Sequence, residues 1–178
     1  ALLKDRLTHI VTLNAEMVVE ATRNEEFRKA VLRAELKIPD GSSMLWARKY
    51  LKEKQNIFFS LFAHLFSSEQ PLTGVDSIFD ICEIVERIQG AVYLLGGTEE
   101  QVQGTLNVLQ EKHPALRIRR ADEGIPQSST PDVLFVAYGA PKQTLWVEER
   151  RTELERSGIR IAVGVGGAFA MISGILPR

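Results

Sequence analysis

A run of five apolar residues followed by a break is the feature that most constrains how this chain can fold. Val133–Ala137 is apolar throughout and includes two β-branched residues, which predicts a strand buried on both faces. Gly139 and Pro141 interrupt the strand, and a helix is predicted to begin at Lys142 and Gln143. Such a passage leaves backbone N–H groups free at the helix start, where an anion can bind. From these residues alone, an ordinary turn beside a buried strand is the simpler interpretation.

The same pattern recurs along the chain, because short apolar runs alternate with segments of helical periodicity. Six strands are predicted, at His9–Leu13, Leu36–Pro39, Ala91–Leu95, Leu116–Arg119, Val133–Ala137 and Ile159–Val165. The alternation predicts an α/β fold, a Rossmann-like open and mainly parallel sheet flanked by helices. We expect a single core domain over residues 1–178, with 52–70 as an insert or small subdomain.

Composition narrows the classes of function. The chain has 178 residues and a formal net charge of −1, so no global basic field predicts a nucleic-acid partner. The single cysteine, Cys82, excludes an internal disulfide framework and lies in an apolar context that predicts a core position. No apolar run is long enough to cross a bilayer, and no signal peptide is evident, which favours a cytoplasmic protein.

Polar and glycine-rich turns follow the predicted strands. Carboxyl ends of parallel strands share one edge of a sheet, where ligands of such folds bind. The turn residues expected at that edge are Thr12, Asn14, Asp40, Gly41, Gly96, Gly97, Gly139, Gly166 and Gly167. Simpler interpretations stay open, since Asn14 and Asp40 are good helix caps and Thr12 suits a strand.

Two further segments allow more than one interpretation. The helix after Gly139 is predicted to run through Leu154, with Glu148, Glu149, Arg150 and Arg151 on a solvated face. Ile57–Phe66 is apolar around most of a helix, so it fits burial, an oligomer contact or the membrane interface.

Several motifs carry a resemblance to a known family. The motifs are Asn14-Ala15-Glu16, Pro39-Asp40-Gly41, Gly139-Ala140-Pro141-Lys142-Gln143 followed by Trp146, and the stretch Gly164-Val165-Gly166-Gly167-Ala168-Phe169. Their order resembles the WecG/TagA/CpsF glycosyltransferases over almost the whole chain. The sequence departs from that pattern at Thr144, where the family usually has Glu, and at Ala170, where Asp is common.

The resemblance implies a UDP-sugar-dependent hexosyltransferase. It would move N-acetylmannosamine, or a related sugar, from a UDP donor to a polyprenyl-diphosphate-linked acceptor in cell-surface polysaccharide synthesis, for example of wall teichoic acid. We expect a single inverting displacement in which Asp40 is the base, while Thr12, Asn14 and Gln143 hold the donor sugar and diphosphate. Backbone groups of the glycine turns would contact the nucleotide, with Lys142 at the mouth. No D-x-D motif occurs, so we expect no metal or other cofactor.

The resemblance also implies a membrane setting. Its members continue with a basic, aromatic tail that reaches the membrane, whereas this sequence stops at Arg178. We therefore expect a nucleotide-binding core of poor activity, peripheral at the inner face of the cell membrane, and a homo-oligomer is one option left open. Two alternatives stay open: a non-catalytic nucleotide-sugar-binding or assembly homologue, and another Rossmann-like nucleotide-dependent enzyme. Against the second, Phe169 occupies the third glycine position of a dinucleotide fingerprint.

Overall fold

The computed structural model describes residues 6–41, 43–44, 47, 74–121 and 132–177. The strands are β1 Thr8–Leu13, β2 Leu36–Pro39, β3 Ala91–Gly96, β4 Arg117–Arg120, β5 Asp132–Ala137 and β6 Ile159–Gly164. The helices within these residues are α1 Ala15–Arg23, α2 Glu25–Arg33, α3 Gly74–Arg87, α4 Glu99–Lys112, α5 Lys142–Glu149, α6 Arg151–Arg156 and α7 Ala168–Ile172. All six predicted strands are confirmed, each to within a residue or two of its expected limits.

The strands form one open sheet in the order β2-β1-β6-β5-β3-β4, and every neighbouring pair is parallel. The predicted α/β, Rossmann-like class is therefore confirmed. Since all strands run the same way, the turns that follow them lie at one edge of the sheet. β1 pairs with β6, with Val11 opposite Gly164, so residues far apart in the sequence meet inside the sheet.

Alternating residues of the central strands fill cores on opposite faces of the sheet. On one face, Leu94 and Phe135 pack with residues of α3, α4 and α7. On the other, Tyr93 and Leu134 pack with residues of α5 and α6, and Val11 packs with α1 and α2. This two-sided burial is the one predicted for the apolar run in β5. Cys82 is fully buried in the first core, as predicted, and burial raises the pKa of its thiol to about 12.

Side-chain caps fix where the first two helices begin. The Asn14 side chain accepts a hydrogen bond from the Met17 N–H, and the Asn24 side chain accepts one from the Phe27 N–H. Each amide oxygen satisfies a backbone donor that has no partner within the helix. The cap predicted at Asn14 is confirmed.

The prediction that the helix after the Gly139 turn runs without a break through Leu154 is wrong. The backbone leaves helical geometry at Arg150, which separates α5 from α6. Two of the charged residues expected on a solvated face are also mostly buried, because they pair with His9 on β1 and with Glu35, the residue before β2. Glu148 contacts His9 and Arg151 at 2.8 and 2.7 Å, and Arg151 also pairs with Glu35 at 2.9 Å. We call His9, Glu35, Glu148 and Arg151 the β1–α6 network.

The apolar stretch Ile57–Phe66 and the suggested insert at 52–70 lie outside the described residues. Among the helices that the structure describes, none is long and apolar enough to cross a membrane.

Candidate active site

A cleft opens where β1 and β6 lie side by side. The chain leaves β1 toward α1 and α2 on one face of the sheet, and it leaves β6 toward α7 on the opposite face. Neighbouring strands whose connections diverge in this way leave a crevice at their carboxyl ends, the usual ligand site of such sheets. The cleft has a volume of about 410 Å³. Its described lining comprises Thr12, Asn14, Met17, Asp40, Gly74, Val75, Ala140, Gln143, Val165, Gly166, Gly167, Ala168 and Met171.

Asp40 is the ionisable residue in this described lining. Its backbone N–H donates to the Leu13 carbonyl at 2.9 Å, which extends the pairing of β1 and β2 and directs the residue to the cleft. Burial raises the pKa of the carboxyl group, and a hydrogen bond from the Gly74 N–H partly opposes that rise. A carboxylate with a raised pKa accepts a proton more readily than an exposed aspartate does.

Thr12 lies at the floor of the cleft, next to β6. Its side chain is buried, and its hydroxyl donates to the Gly164 carbonyl at 2.9 Å. The hydroxyl proton is therefore engaged by the protein, and the lone pairs of the oxygen remain to accept from a ligand.

Gln143, in the first turn of α5, supports the turn between β6 and α7. The side chain is only 3% exposed, and its Oε1 accepts from the Gly166 N–H at 3.0 Å. Gly164 permits this approach, because a Cβ there would lie 2.8 Å from Nε2 of Gln143. Gly166 has a φ of +53°, a conformation that glycine adopts at little cost.

The structure brings six of the predicted site residues together in the cleft lining: Thr12, Asn14, Asp40, Gln143, Gly166 and Gly167. The other predicted residues fall outside that lining. Gly41 and Gly139 adjoin lining residues in the chain, while Gly96 and Gly97 follow β3, farther along the same edge. The Lys142 ammonium lies 4.8 Å from the centre of the Tyr138 ring instead of lining the cleft.

Sequence reasoning missed part of the lining. Gly74 and Val75 come from the start of α3, and Met171 comes from α7. Gly74 is 34 positions beyond Asp40 in the chain, yet it donates to that carboxylate. No local pattern predicts such a contact between residues so far apart in the chain.

The described lining has few charges. It carries one carboxylate and no lysine or arginine, and the described residues contain no cluster of three groups able to hold a metal ion. The polar lining otherwise consists of two side-chain amides, one hydroxyl and backbone groups. Such a site can accept a proton at Asp40 and bind oxygen-rich groups by hydrogen bonds.

Comparison with known proteins identifies relatives over nearly the whole chain. A family model described as the glycosyl transferase WecG/TagA/CpsF family matches residues 1–178. Two similar curated proteins are both named N-acetylglucosaminyldiphosphoundecaprenol N-acetyl-beta-D-mannosaminyltransferase. The Staphylococcus aureus (strain NCTC 8325 / PS 47) protein is 26% identical over 95% of this chain, and the Bacillus spizizenii protein is 23% identical over 95%. The chain spans 64% and 63% of the lengths of these two relatives.

Proposed function

Because the chain belongs to the WecG/TagA/CpsF glycosyl transferase family, we propose that it transfers a hexose from a UDP-sugar to a polyprenyl-diphosphate-linked sugar. The names of the Staphylococcus and Bacillus relatives favour N-acetylmannosamine as the transferred sugar and a diphosphate-linked N-acetylglucosamine as the acceptor. The product would enter a cell-surface polysaccharide such as wall teichoic acid. The reaction is a single displacement that inverts the anomeric centre.

The observation that carries this proposal is the position of Asp40. It is the carboxylate in the described lining of a cleft that lies where α/β sheets bind ligands, and burial raises its pKa. In the proposed step, Asp40 takes the proton of the acceptor hydroxyl as that oxygen attacks the anomeric carbon. The UDP leaves with the electron pair of the broken glycosidic bond.

The remaining cleft residues bind the donor in this proposal. Asn14 and Gln143 contact it through side chains, and Thr12 completes the floor. The neighbouring glycines, namely Gly41, Gly96, Gly97, Gly139, Gly166 and Gly167, would allow backbone groups to approach the nucleotide closely. Lys142 would act at the rim.

The proposed setting is the inner face of the cell membrane, where a polyprenyl-linked acceptor is embedded. We propose no metal for the reaction, so helix N-termini and cationic side chains would stabilise the leaving diphosphate. A homo-oligomer is compatible with this arrangement.

An Asp40→Asn exchange tests the proposal. The asparagine oxygen can still accept from the Gly74 N–H, so the cleft should keep its shape. We expect transfer from UDP-N-acetylmannosamine to a polyprenyl-diphosphate N-acetylglucosamine to fall by roughly 100-fold or more, with UDP affinity nearly unchanged. Asp80→Asn, at an exposed position on α3, is the matched control. Undiminished transfer by Asp40→Asn would show that Asp40 is not the base.

Binding measurements separate this proposal from a dinucleotide-dependent enzyme. Phe169 is fully buried in the core, so the third fingerprint glycine is replaced by a structural side chain. In calorimetric titrations, UDP and UDP-N-acetylmannosamine should release or absorb heat while NAD should not. A response to NAD alone would contradict the transferase assignment.

A further inference from the structure

Two side-chain amides line the cleft, and the protein has already used the carbonyl oxygen of each. The Oδ1 atom of Asn14 accepts from the Met17 N–H at 2.9 Å as the cap of α1. The Oε1 atom of Gln143 accepts from the Gly166 N–H at 3.0 Å. Both amides are thus held in one orientation by backbone donors.

The opposite orientation of either amide is unfavourable. Rotating the group by half a turn would place its NH₂ against a backbone N–H, so two donors would face each other and the backbone donor would lose its acceptor. For Gln143 the cost is increased by burial, since its side chain is only 3% exposed. The structure therefore fixes which atom of each amide is available to a ligand.

The available atoms are both donors. Within the described residues, the amide nitrogens of Asn14 and Gln143 have no hydrogen-bond partner, and both residues line the cleft. An amide NH₂ can only donate. These two nitrogens therefore suit oxygen atoms of a ligand that accept hydrogen bonds, above all anionic ones, for which such bonds are strongest.

The other two polar side chains have the opposite character. The Thr12 hydroxyl donates to the Gly164 carbonyl, so it can only accept from a ligand. An ionised Asp40 also only accepts. Both groups suit hydroxyl or N–H groups of a sugar, and neither suits a phosphate.

We propose that Asn14 and Gln143 are obligate donors that bind the diphosphate of the nucleotide, whereas Thr12 and Asp40 face hydrogen-bond donors of the sugars. This inference rests on the proposed function and refines it. It removes Thr12 from the diphosphate contacts expected from the sequence. It also assigns the diphosphate to the side of the cleft formed by the start of α1, the start of α5 and the β6–α7 turn.

Two isosteric exchanges test the inference. Each keeps the oxygen that accepts from the backbone N–H and replaces the amide nitrogen, a donor, with a second oxygen, an acceptor. In Asn14→Asp, a carboxylate oxygen still caps α1, and in Gln143→Glu an oxygen still accepts from Gly166. Each variant replaces the donor that faces the cleft with an anionic acceptor. Asn24→Asp is the matched control, since Asn24 caps α2 through the same contact, outside the cleft lining.

The readout is the affinity for UDP and for inorganic pyrophosphate, measured by calorimetry. We expect Asn14→Asp and Gln143→Glu each to bind both probes roughly 10- to 100-fold more weakly, the effect of losing a hydrogen bond to a charged group. The control should bind as the wild type does. Thermal unfolding of all four proteins shows whether the exchanges preserve the fold.

A second measurement uses the unaltered chain, so its result does not depend on the stability of the variants. In ¹H–¹⁵N spectra, UDP should shift the side-chain NH₂ signals of Asn14 and Gln143 and leave that of Asn24 in place. The inference is overturned if the wild type binds UDP and both variants bind it with the same affinity. It is also overturned if UDP binds the wild type without moving the two NH₂ signals. Either result leaves the proposed function intact. If the wild type binds neither UDP nor pyrophosphate, the inference and the proposed donor both fail.

Discussion

The β1–α6 network makes a quantitative prediction about stability. Glu148 lies at the end of α5 with its side chain 10% exposed, and it accepts hydrogen bonds from His9 and Arg151. Burial by itself raises the pKa of the Glu148 carboxyl group. The bonds from His9 and Arg151, with the charge of Arg151, outweigh burial and lower that pKa from 4.5 to about 2.

The lowered pKa of Glu148 corresponds to about 3 kcal/mol of folding free energy at neutral pH. Because the carboxylate binds a proton less readily in the folded state, this contribution is complete well above pH 4.5 and is lost as the pH falls toward 2. Roughly a quarter of it should be gone at pH 4 and more than half at pH 3. Glu148→Gln, which mimics the protonated side chain, should therefore cost about 3 kcal/mol at pH 7 and progressively less in acid.

Urea unfolding followed by circular dichroism at pH 7, 5 and 4 gives the required free energies. Glu149→Gln is the control, since Glu149 is the next residue and forms an exposed pair with Arg150. Its exchange should change the free energy of unfolding by less than about 1 kcal/mol. A cost of Glu148→Gln that is the same at pH 7 and pH 4, or no larger than the control at pH 7, would refute the reasoning.

Three further predictions concern packing and access. Gly104→Ala should lower the free energy of unfolding by about 1–2 kcal/mol in urea titrations, because the new Cβ would lie 2.6 Å from Cβ of Ser173. Unaltered stability would contradict this contact between α4 and the end of α7. Gly164→Ala should leave the protein folded but weaken UDP binding severalfold, because the new Cβ would displace the Gln143 amide. An unchanged UDP affinity, measured by calorimetry, would count against the role assigned to that amide. Burial raises the pKa of the Cys82 thiol to about 12, so the thiol should react with a chromogenic disulfide reagent only after denaturant is added. Fast labelling of the native protein would be inconsistent with the structure.

The parts of the fold predicted correctly are those that local sequence determines. Continuous apolar runs identified β3 and β5, short apolar-rich segments identified the other four strands, and the cap at Asn14 located the first helix. Motif order placed Asp40 and Gln143 at the carboxyl edge of the sheet, and parallel pairing brought them into one cleft. The family suggested by those motifs is the one that the comparison identifies.

The parts that sequence analysis missed depend on contacts between distant segments. Glu148 and Arg151 have the pattern of a solvated helix face, and only the position of His9 on β1 makes them part of a mostly buried network. The break at Arg150 is equally invisible locally, because good helix formers continue on both sides of it. Likewise, the hydrogen bond from Gly74 to Asp40 joins two segments that are far apart in the sequence.

The position of β1 between β2 and β6 has a consequence for the order in which the protein assembles during synthesis. β1 leaves the ribosome before the other described strands, yet one of its two neighbours in the sheet is β6, which begins at Ile159. Pairing across so long a stretch of chain requires a large loop closure and is slow. The β1 edge that faces β6 therefore stays unpaired until β6 has been made, and an unpaired edge is a template for aggregation. We expect the cleft to be the last region to form on the nascent chain, and nascent chains arrested before β6 to depend on chaperones.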